Sequence, residues 1–188
     1  MLERSLVLIK HDGVTRGLIG KIISRFEDIG LKIIGIKMIL ADEELAKHHY
    51  KLDKEWAKNV FEKTKTTHER EGRNFIFKDY MEFGAIIQKW NIDFLREGPV
   101  VALVVEGPGV VEIIRKLVGS TEPRQATPGT IRGDFAMTES YALANDKQRV
   151  LRNLVHASDS AENAEREIDL WFNEEEMYSY FKDLDKHV

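Results

Sequence analysis

Residues 5–9, Ser-Leu-Val-Leu-Ile, form an apolar run closed by Lys10, and the stretch to Gly17 breaks the pattern, so the chain opens on a strand and a loop. From Leu18 the apolar positions fall at 18, 19, 22, 23, 26 and 29, a helical stripe that Gly30 is placed to end in a left-handed turn. Residues 31–40 carry Ile33, Ile34, Ile36, Met38 and Ile39 on alternate sides, which predicts a strand covered on both faces for most of its length. Residues 42–90 are rich in Lys and Glu and read as helical, with an aromatic cluster at Phe75, Phe77, Tyr80 and Phe83 expected to pack into the interior. The strongest strand is 100–105, followed by a helix over 110–118 and by a Gly/Thr/Pro loop over 119–134, long enough to suggest a functional role. A charged stretch over 138–152 leads to a short apolar patch at Leu151, Leu154 and Val155. Ser158-Asp159-Ser160 then offers helix caps, and Ile168, Leu170, Trp171 and Phe172 mark a last amphipathic helix before an acidic, aromatic tail. The order β-α-β, helices, β-α-loop-β-α predicts an α+β sandwich, an antiparallel sheet with helices on one face.

Composition narrows the chemistry. The chain has 188 residues, 43% hydrophobic and 32% charged, enough for one full core, and no cysteine, which excludes disulfides, thiolate metal sites and a cysteine nucleophile. No apolar stretch approaches the ~20 residues of a membrane span, so the expectation is a soluble, cytoplasmic protein with no membrane role. A formal charge of -4 and a pI near 5.9 give no global basic field, so a polyanionic ligand would need a local cationic cluster.

Such a cluster is present in and before the long loop. Arg115, Lys116, Arg124 and Arg132 occur there with one acid, Glu122, beside Thr121, Thr130 and a glycine-rich backbone able to donate to phosphate oxygens. No Walker-type phosphate loop exists. His156 ends a short apolar segment just before helix-capping residues. A histidine at such a corner can act as a neutral nucleophile when another group holds its second ring nitrogen, and Glu167 is a plausible orienting carboxylate. The alternative is a half-buried histidine bonded to backbone. His48, His49 and His68 read as surface helix residues, because no metal-ligand pattern accompanies them.

Several ordered segments together resemble the nucleoside diphosphate kinase family. They are Lys10-His11-Asp12-Gly13-Val14, Arg16-Gly17-Leu18-Ile19-Gly20, Lys47-His48-His49-Tyr50, Gly98-Pro99-Val100-Val101-Ala102, Thr127-Pro128-Gly129-Thr130-Ile131-Arg132-Gly133-Asp134-Phe135 and Asn153-Leu154-Val155-His156-Ala157-Ser158-Asp159-Ser160 with Glu165-Arg166-Glu167-Ile168. The resemblance implies ping-pong transfer of the γ-phosphoryl group of a nucleoside triphosphate to a nucleoside diphosphate through a phosphohistidine on His156. In that reading Lys10, Arg115, Thr121 and Arg132 hold phosphates and Asn153 binds the ribose. Tyr50 contacts the transferred group, and Glu167 with Ser158 orients the imidazole. Mg2+ would bridge nucleotide oxygens through water, without a side-chain cage. The implied fold is a single ferredoxin-like α/β sandwich, a four-stranded antiparallel sheet covered by helices, spanning 1–188 and assembled into a homo-oligomer, a tetramer or a hexamer.

Three departures from the family pattern stand out. His11 replaces the usual proline after the first-strand lysine and adds a titratable group beside Lys10. Ala157 replaces a glycine next to the histidine, which would cost on the order of 1 kcal/mol if the position needs positive φ. The chain also carries helical insertions within about 51–97 and 136–152. The first falls where the family places its base-stacking aromatic. Trp56, Phe61, Phe83 and Trp90 are candidates, with Phe61 preferred. A non-catalytic nucleotide-binding module would be expected to have lost at least one of these residues. An RNA-binding domain would need exposed strand aromatics, and no specific nucleic-acid partner is expected.

Overall fold

Strict alternation along the first strand decides the architecture. In β1 (Leu2–Ile9), Val7 and Ile9 point into one apolar cluster and Leu6 and Leu8 into another, so both faces of the sheet must be covered. The computed structural model describes residues 2–182. After β1 the order is α1 (His11–Thr15), α2 (Ile19–Glu27), β2 (Lys32–Ile39), α3 (Glu43–His49), α4 (Lys54–Arg70), α5 (Tyr80–Leu95) and β3 (Val100–Pro108). It continues with α6 (Val110–Val118), α7 (Ile131–Phe135), α8 (Tyr141–Asp146), β4 (Val155–Ala157) and α9 (Ala161–Trp171), with short 3-10 turns at Pro123–Gln125 and Glu174–Glu176.

The strands form one antiparallel sheet of order β2-β3-β1-β4, with Val7 opposite Leu103 and Leu8 opposite His156. This is the ferredoxin-like arrangement. Helices lie on both faces, which corrects the one-face expectation. Ile22 and Phe26 of α2 with Val110, Ile114 and Val118 of α6 fill one side, and Ala46 of α3, Ile92 and Leu95 of α5, and Ile168 and Trp171 of α9 fill the other. Strand β2 is also less covered than its pattern suggests, because it lies at the sheet edge: Ile36 and Met38 are more than half exposed. The tail packs along that strand, with Lys37 paired to Glu176 and the Tyr178 N–H donating to the Ile34 carbonyl at 2.7 Å.

The charged segments build a helical lobe. Phe61, Phe75, Phe77 and Phe83 meet edge-on or tilted with centroids 4.8–5.9 Å apart, so the phenylalanines of the 75–83 cluster pack together as expected, with Phe61 among them. Ion pairs attach the lobe to the loop after α6. Glu122, 2% exposed, accepts from Arg70 of α4 at 3.0 Å and from the Tyr141 N–H of α8, while Arg124 pairs with Glu71 at 2.8 Å.

Helices α4 and α5 approach so closely that a Cβ on Gly84 would lie 2.6 Å from the Cβ and 3.2 Å from the Cα of Ala57. Overpacking costs about 1–3 kcal/mol, against a gain of up to about 1 kcal/mol from replacing a mid-helix glycine. Gly84→Ala is therefore expected to lower stability in urea denaturation, whereas an exposed-helix control would rise.

Candidate active site

Residues 153–155 carry the chain from the helical lobe into β4, and their backbone is strained. Leu154 has φ +68, and the Val155 N–H donates to the Asn153 carbonyl at 2.8 Å, a tight γ-turn of the rare positive-φ kind. Such a conformation in a non-glycine residue costs about 1–3 kcal/mol and persists only where neighbours enforce it. Here they do. The Arg132 guanidinium donates to the carbonyls of Asn153 (3.1 Å), Val155 (2.5 Å) and Gly119 (2.8 Å). The Leu154 N–H donates to Asp12 at 3.1 Å, and its carbonyl accepts from the Lys10 N–H at 2.8 Å. Ala157 does not have positive φ, so the condition for a strained alanine there is not met; the positive φ falls on Leu154.

The turn delivers His156 to the edge of the sheet. Its Nε2 lies 3.0 Å from Glu167 Oε2, which also accepts from Ser158 Oγ at 2.7 Å. Ser158 is in turn held by the Leu6 N–H of β1 at 3.2 Å. Burial alone would raise the Glu167 carboxyl, but the charge and hydrogen bond of His156, with His49 and Ser158, outweigh it and bring its pKa down to about 2. An ionised carboxylate only accepts, so the imidazole proton sits on Nε2 and the Nδ1 lone pair is left free.

Facing His156 is a cleft of about 860 Å³ lined by Lys10, Tyr50, Arg115, Thr121, Arg132 and Asn153 among others. Lys10 Nζ donates to Asn153 Oδ1 at 2.8 Å, and the Asn153 amide donates to the Thr121 carbonyl at 2.9 Å. Burial first, then the charge of Arg132, brings the Lys10 pKa down to about 8, and burial brings that of Arg132 down to about 10. Burial also raises the Tyr50 pKa, which keeps its hydroxyl protonated as a donor. The Arg115 side chain is exposed and makes no hydrogen bond or ion pair among the described residues, although its carbonyl accepts from the Gly119 N–H at 3.1 Å. The structure thus gathers Lys10, Arg115 and Arg132 with the Tyr50 and Thr121 hydroxyls around one cleft of a net-negative protein.

Other expected residues lie elsewhere. Phe61 is buried against Phe75 and Phe83 on the far side of α4 and does not face the cleft, so base stacking by Phe61 is set aside; of the four aromatic candidates only Trp56 lines the cleft. Lys116 and Arg124 do not line it either, Arg124 being turned to Glu71. His11 packs its ring over Gly98, outside the cleft. His48 is exposed as expected, but His49 and His68 are buried, at 5% and 0% exposure. His68 bonds the Thr64 carbonyl at 2.9 Å and faces Asn145, while His49 packs against His156. Asp12 had no role assigned from sequence, and its bond to a leucine N–H has no sequence signature. Of the carboxylates in and beside the cleft, Glu167 is committed to His156 and Ser158, Asp12 to two backbone N–H groups, Asp53 to the Trp56 N–H and Asp159 to Asn163, while Glu55 also lines the cleft. That donor set suits a hard cation carried in on a ligand's own oxygens rather than one held in a protein cage.

Comparisons with known proteins show what the chain is similar to. The family model for nucleoside diphosphate kinase matches residues 3–74 and 84–177. A nucleoside diphosphate kinase of Pyrobaculum aerophilum is 44% identical over 180 residues, 94% of this chain and 98% of the relative. One of Borreliella burgdorferi is 40% identical over 185 residues, 97% and 95% of the two chains. Among solved structures, an NDP kinase from Pyrobaculum aerophilum superposes with a TM-score of 0.89 at 42% identity, covering 95% of this chain and 100% of that one. A transition-state mimic of the Borrelia burgdorferi kinase with bound vanadate and ADP superposes at 0.79 and 38% identity, covering 98% and 95%. With the family model spanning most of its length and relatives of matching length at 40% identity and above, the chain belongs to the nucleoside diphosphate kinase family.

Proposed function

We propose that the chain transfers the γ-phosphoryl group of a nucleoside triphosphate to a nucleoside diphosphate, with Nδ1 of His156 as the nucleophile. The observation that carries this reading is the His156–Glu167–Ser158 chain, which holds the proton on Nε2 and leaves Nδ1 bare at the head of a cationic cleft. In the first half-reaction the Nδ1 lone pair forms a bond to the γ-phosphorus as the bond from phosphorus to the β–γ bridging oxygen breaks, releasing the diphosphate. The second half-reaction is the same step in reverse with a different diphosphate, so one site serves both. Catalysis of this kind is mainly placement and charge neutralisation.

Lys10, Arg115 and the two N–H groups of Arg132 not engaged with carbonyls would hold the phosphate oxygens, with Thr121 and Tyr50 adding hydroxyl donors. Asn153, fixed between Lys10 and Thr121, would meet the ribose through its remaining amide hydrogen. Mg2+, carried on the nucleotide's oxygens and water, would supply further charge neutralisation. Glu167 and Ser158 orient the imidazole. The segments within 51–97 and 136–152 wall the far end of the cleft through Trp56, Val60, Thr64, Tyr141 and Asn145 in what we read as one domain, and the family model leaves 75–83 of the first unmatched. A cytoplasmic homo-oligomer is the setting we favour. The exposed Ile36, Met38 and Leu40 at the β2 edge support assembly, and among the described residues no helix is long and apolar enough to cross a membrane.

Incubation with γ-labelled ATP and Mg2+ is expected to give an acid-labile, alkali-stable phosphoprotein that GDP discharges, and His156→Ala to abolish labelling; normal labelling of that variant would overturn the assignment. Lys10 loses its charge as pH rises through about 8, so kcat/KM for nucleotide should fall above that pH. Bound phosphate raises the Lys10 pKa, so the fall in kcat should begin at higher pH, which pH–rate profiles would check. The two arginines should separate in a paired binding and melting experiment. Arg115→Ala is expected to weaken nucleotide binding at unchanged stability. Arg132→Ala, which strands three carbonyls, should in addition lose about 3 kcal/mol or more.

A further inference from the structure

His49 closes α3 and is enclosed by rings. Tyr50, His156 and Trp171 stand edge-on to it, with centroids 4.6, 4.5 and 5.6 Å away. The Trp171 indole Nε1–H points at His49 Nδ1 at 3.3 Å. An indole nitrogen only donates, so Nδ1 must present its lone pair and a neutral ring carries its proton on Nε2. That Nε2 is buried and has no hydrogen-bond partner, a costly arrangement in a protein interior.

His49 also belongs to a close trio, since one ligand-type atom each from His49, His156 and Glu167 lies within 4.8 Å of the others. Two histidines and a glutamate could hold a transition metal, but a metal needs the Nε2 lone pair that the Trp171 bond denies, and Glu167 Oε2 already accepts two hydrogen bonds. The ring is instead a neutral N–H edge set beside the proposed nucleophile. The ionisable groups facing it from each packed element are His156 of β4, Glu167 and Arg166 of α9, Lys10 after β1, and its neighbour Tyr50. Burial first, then His156, Lys10 and Arg166, hold its pKa well below the usual histidine value, and only Glu167 opposes them.

We propose that His49 is a positioning residue for phosphoryl transfer: Trp171 holds it as the Nε2–H tautomer, and its ring, edge-on to His156, fixes the plane in which the His156 imidazole aims Nδ1 into the cleft. The proposal rests on His156 being the nucleophile. Its neutrality matters because a protonated His49 would place a second cation against His156 and compete for Glu167, loosening the bond that keeps the reactive tautomer.

The test uses the full chain labelled with 15N-histidine. Long-range 1H–15N spectra should show His49 as the neutral Nε2–H tautomer from pH 8 down to pH 5.5, and observation of the Nδ1–H tautomer or of protonation in that range would overturn the proposal. In Trp171→Phe, His49 should show mixed tautomers or titrate, and phosphoenzyme formation at pH 6 should fall by about fivefold or more relative to pH 8, beyond any fall in the wild type. For His49→Leu, the rate of phosphoenzyme formation should fall by about tenfold or more while nucleotide Kd stays within about twofold. His49→Gln, whose carboxamide can accept from Trp171 and donate where Nε2–H did, should recover most of that rate. Equal rates for the leucine variant and the wild type would sink the idea. If either variant fails to fold, the wild-type spectra still decide the tautomer. Phosphate found on a residue other than His156 would instead defeat the underlying nucleophile assignment, an outcome the phosphorylation-site analysis reads separately.

Discussion

Everything at the cleft depends on one buried cation that spends most of its donors on the protein itself. Arg132 ties the carbonyls of Asn153, Val155 and Gly119 together, and with Asp12 and the Lys10 N–H it holds Leu154 in a conformation the residue would not adopt alone. Remove the guanidinium and the turn can relax, and with it the direction in which β4 leaves and the place where His156 sits. A strained turn is stiff because it is over-determined, and stiffness is what a reaction governed by in-line placement requires. The bulk of the sheet makes this possible. The β1–β3 pair, buried on both faces, is the anvil against which Asp12, Lys10 and Ser158 press.

Electrostatics at the site works against the protein's net charge. Burial lowers the pKa of both Lys10 and Arg132, the charge of Arg132 lowers that of Lys10 further and the charge of Arg115 that of Arg132, so the cleft holds cations under stress. A phosphate relieves that stress. Glu167 shows the opposite balance: desolvation disfavours its charge, yet a histidine and a serine hold it ionised. These opposed arrangements let cationic groups and a proton-holding carboxylate line one cleft.

Much of this was legible in the sequence, and the omissions have physical reasons. The β1, β3, α2 and α6 segments announced themselves because burial imposes a period. So did the corner at His156, where an apolar patch meets a cap, with Ser160 as the residue that caps α9. The sides of the sheet were not legible, since a helical stripe says that one side is apolar without saying what it packs against. Phe61 had the right residue type and the wrong side of α4. His49 looked like a surface residue in a charged helix, and it is enclosed by Tyr50 together with His156 and Trp171, which come from far along the chain. The γ-turn had no signature either, because leucine carries no preference for positive φ. The five-residue α1 left no periodic trace, being shorter than two helical turns.

The proposed nucleophile lies on β4, a strand of three residues at the margin of the sheet, joined to β1 alone. A central strand is flanked by a strand on each side, whereas a marginal one has an edge with no strand beside it. Modified and unmodified forms of the histidine can therefore share one scaffold, and the diphosphate can be exchanged at the rim without the interior registering which covalent state the enzyme is in. Turnover is separated from folding by position in the sheet.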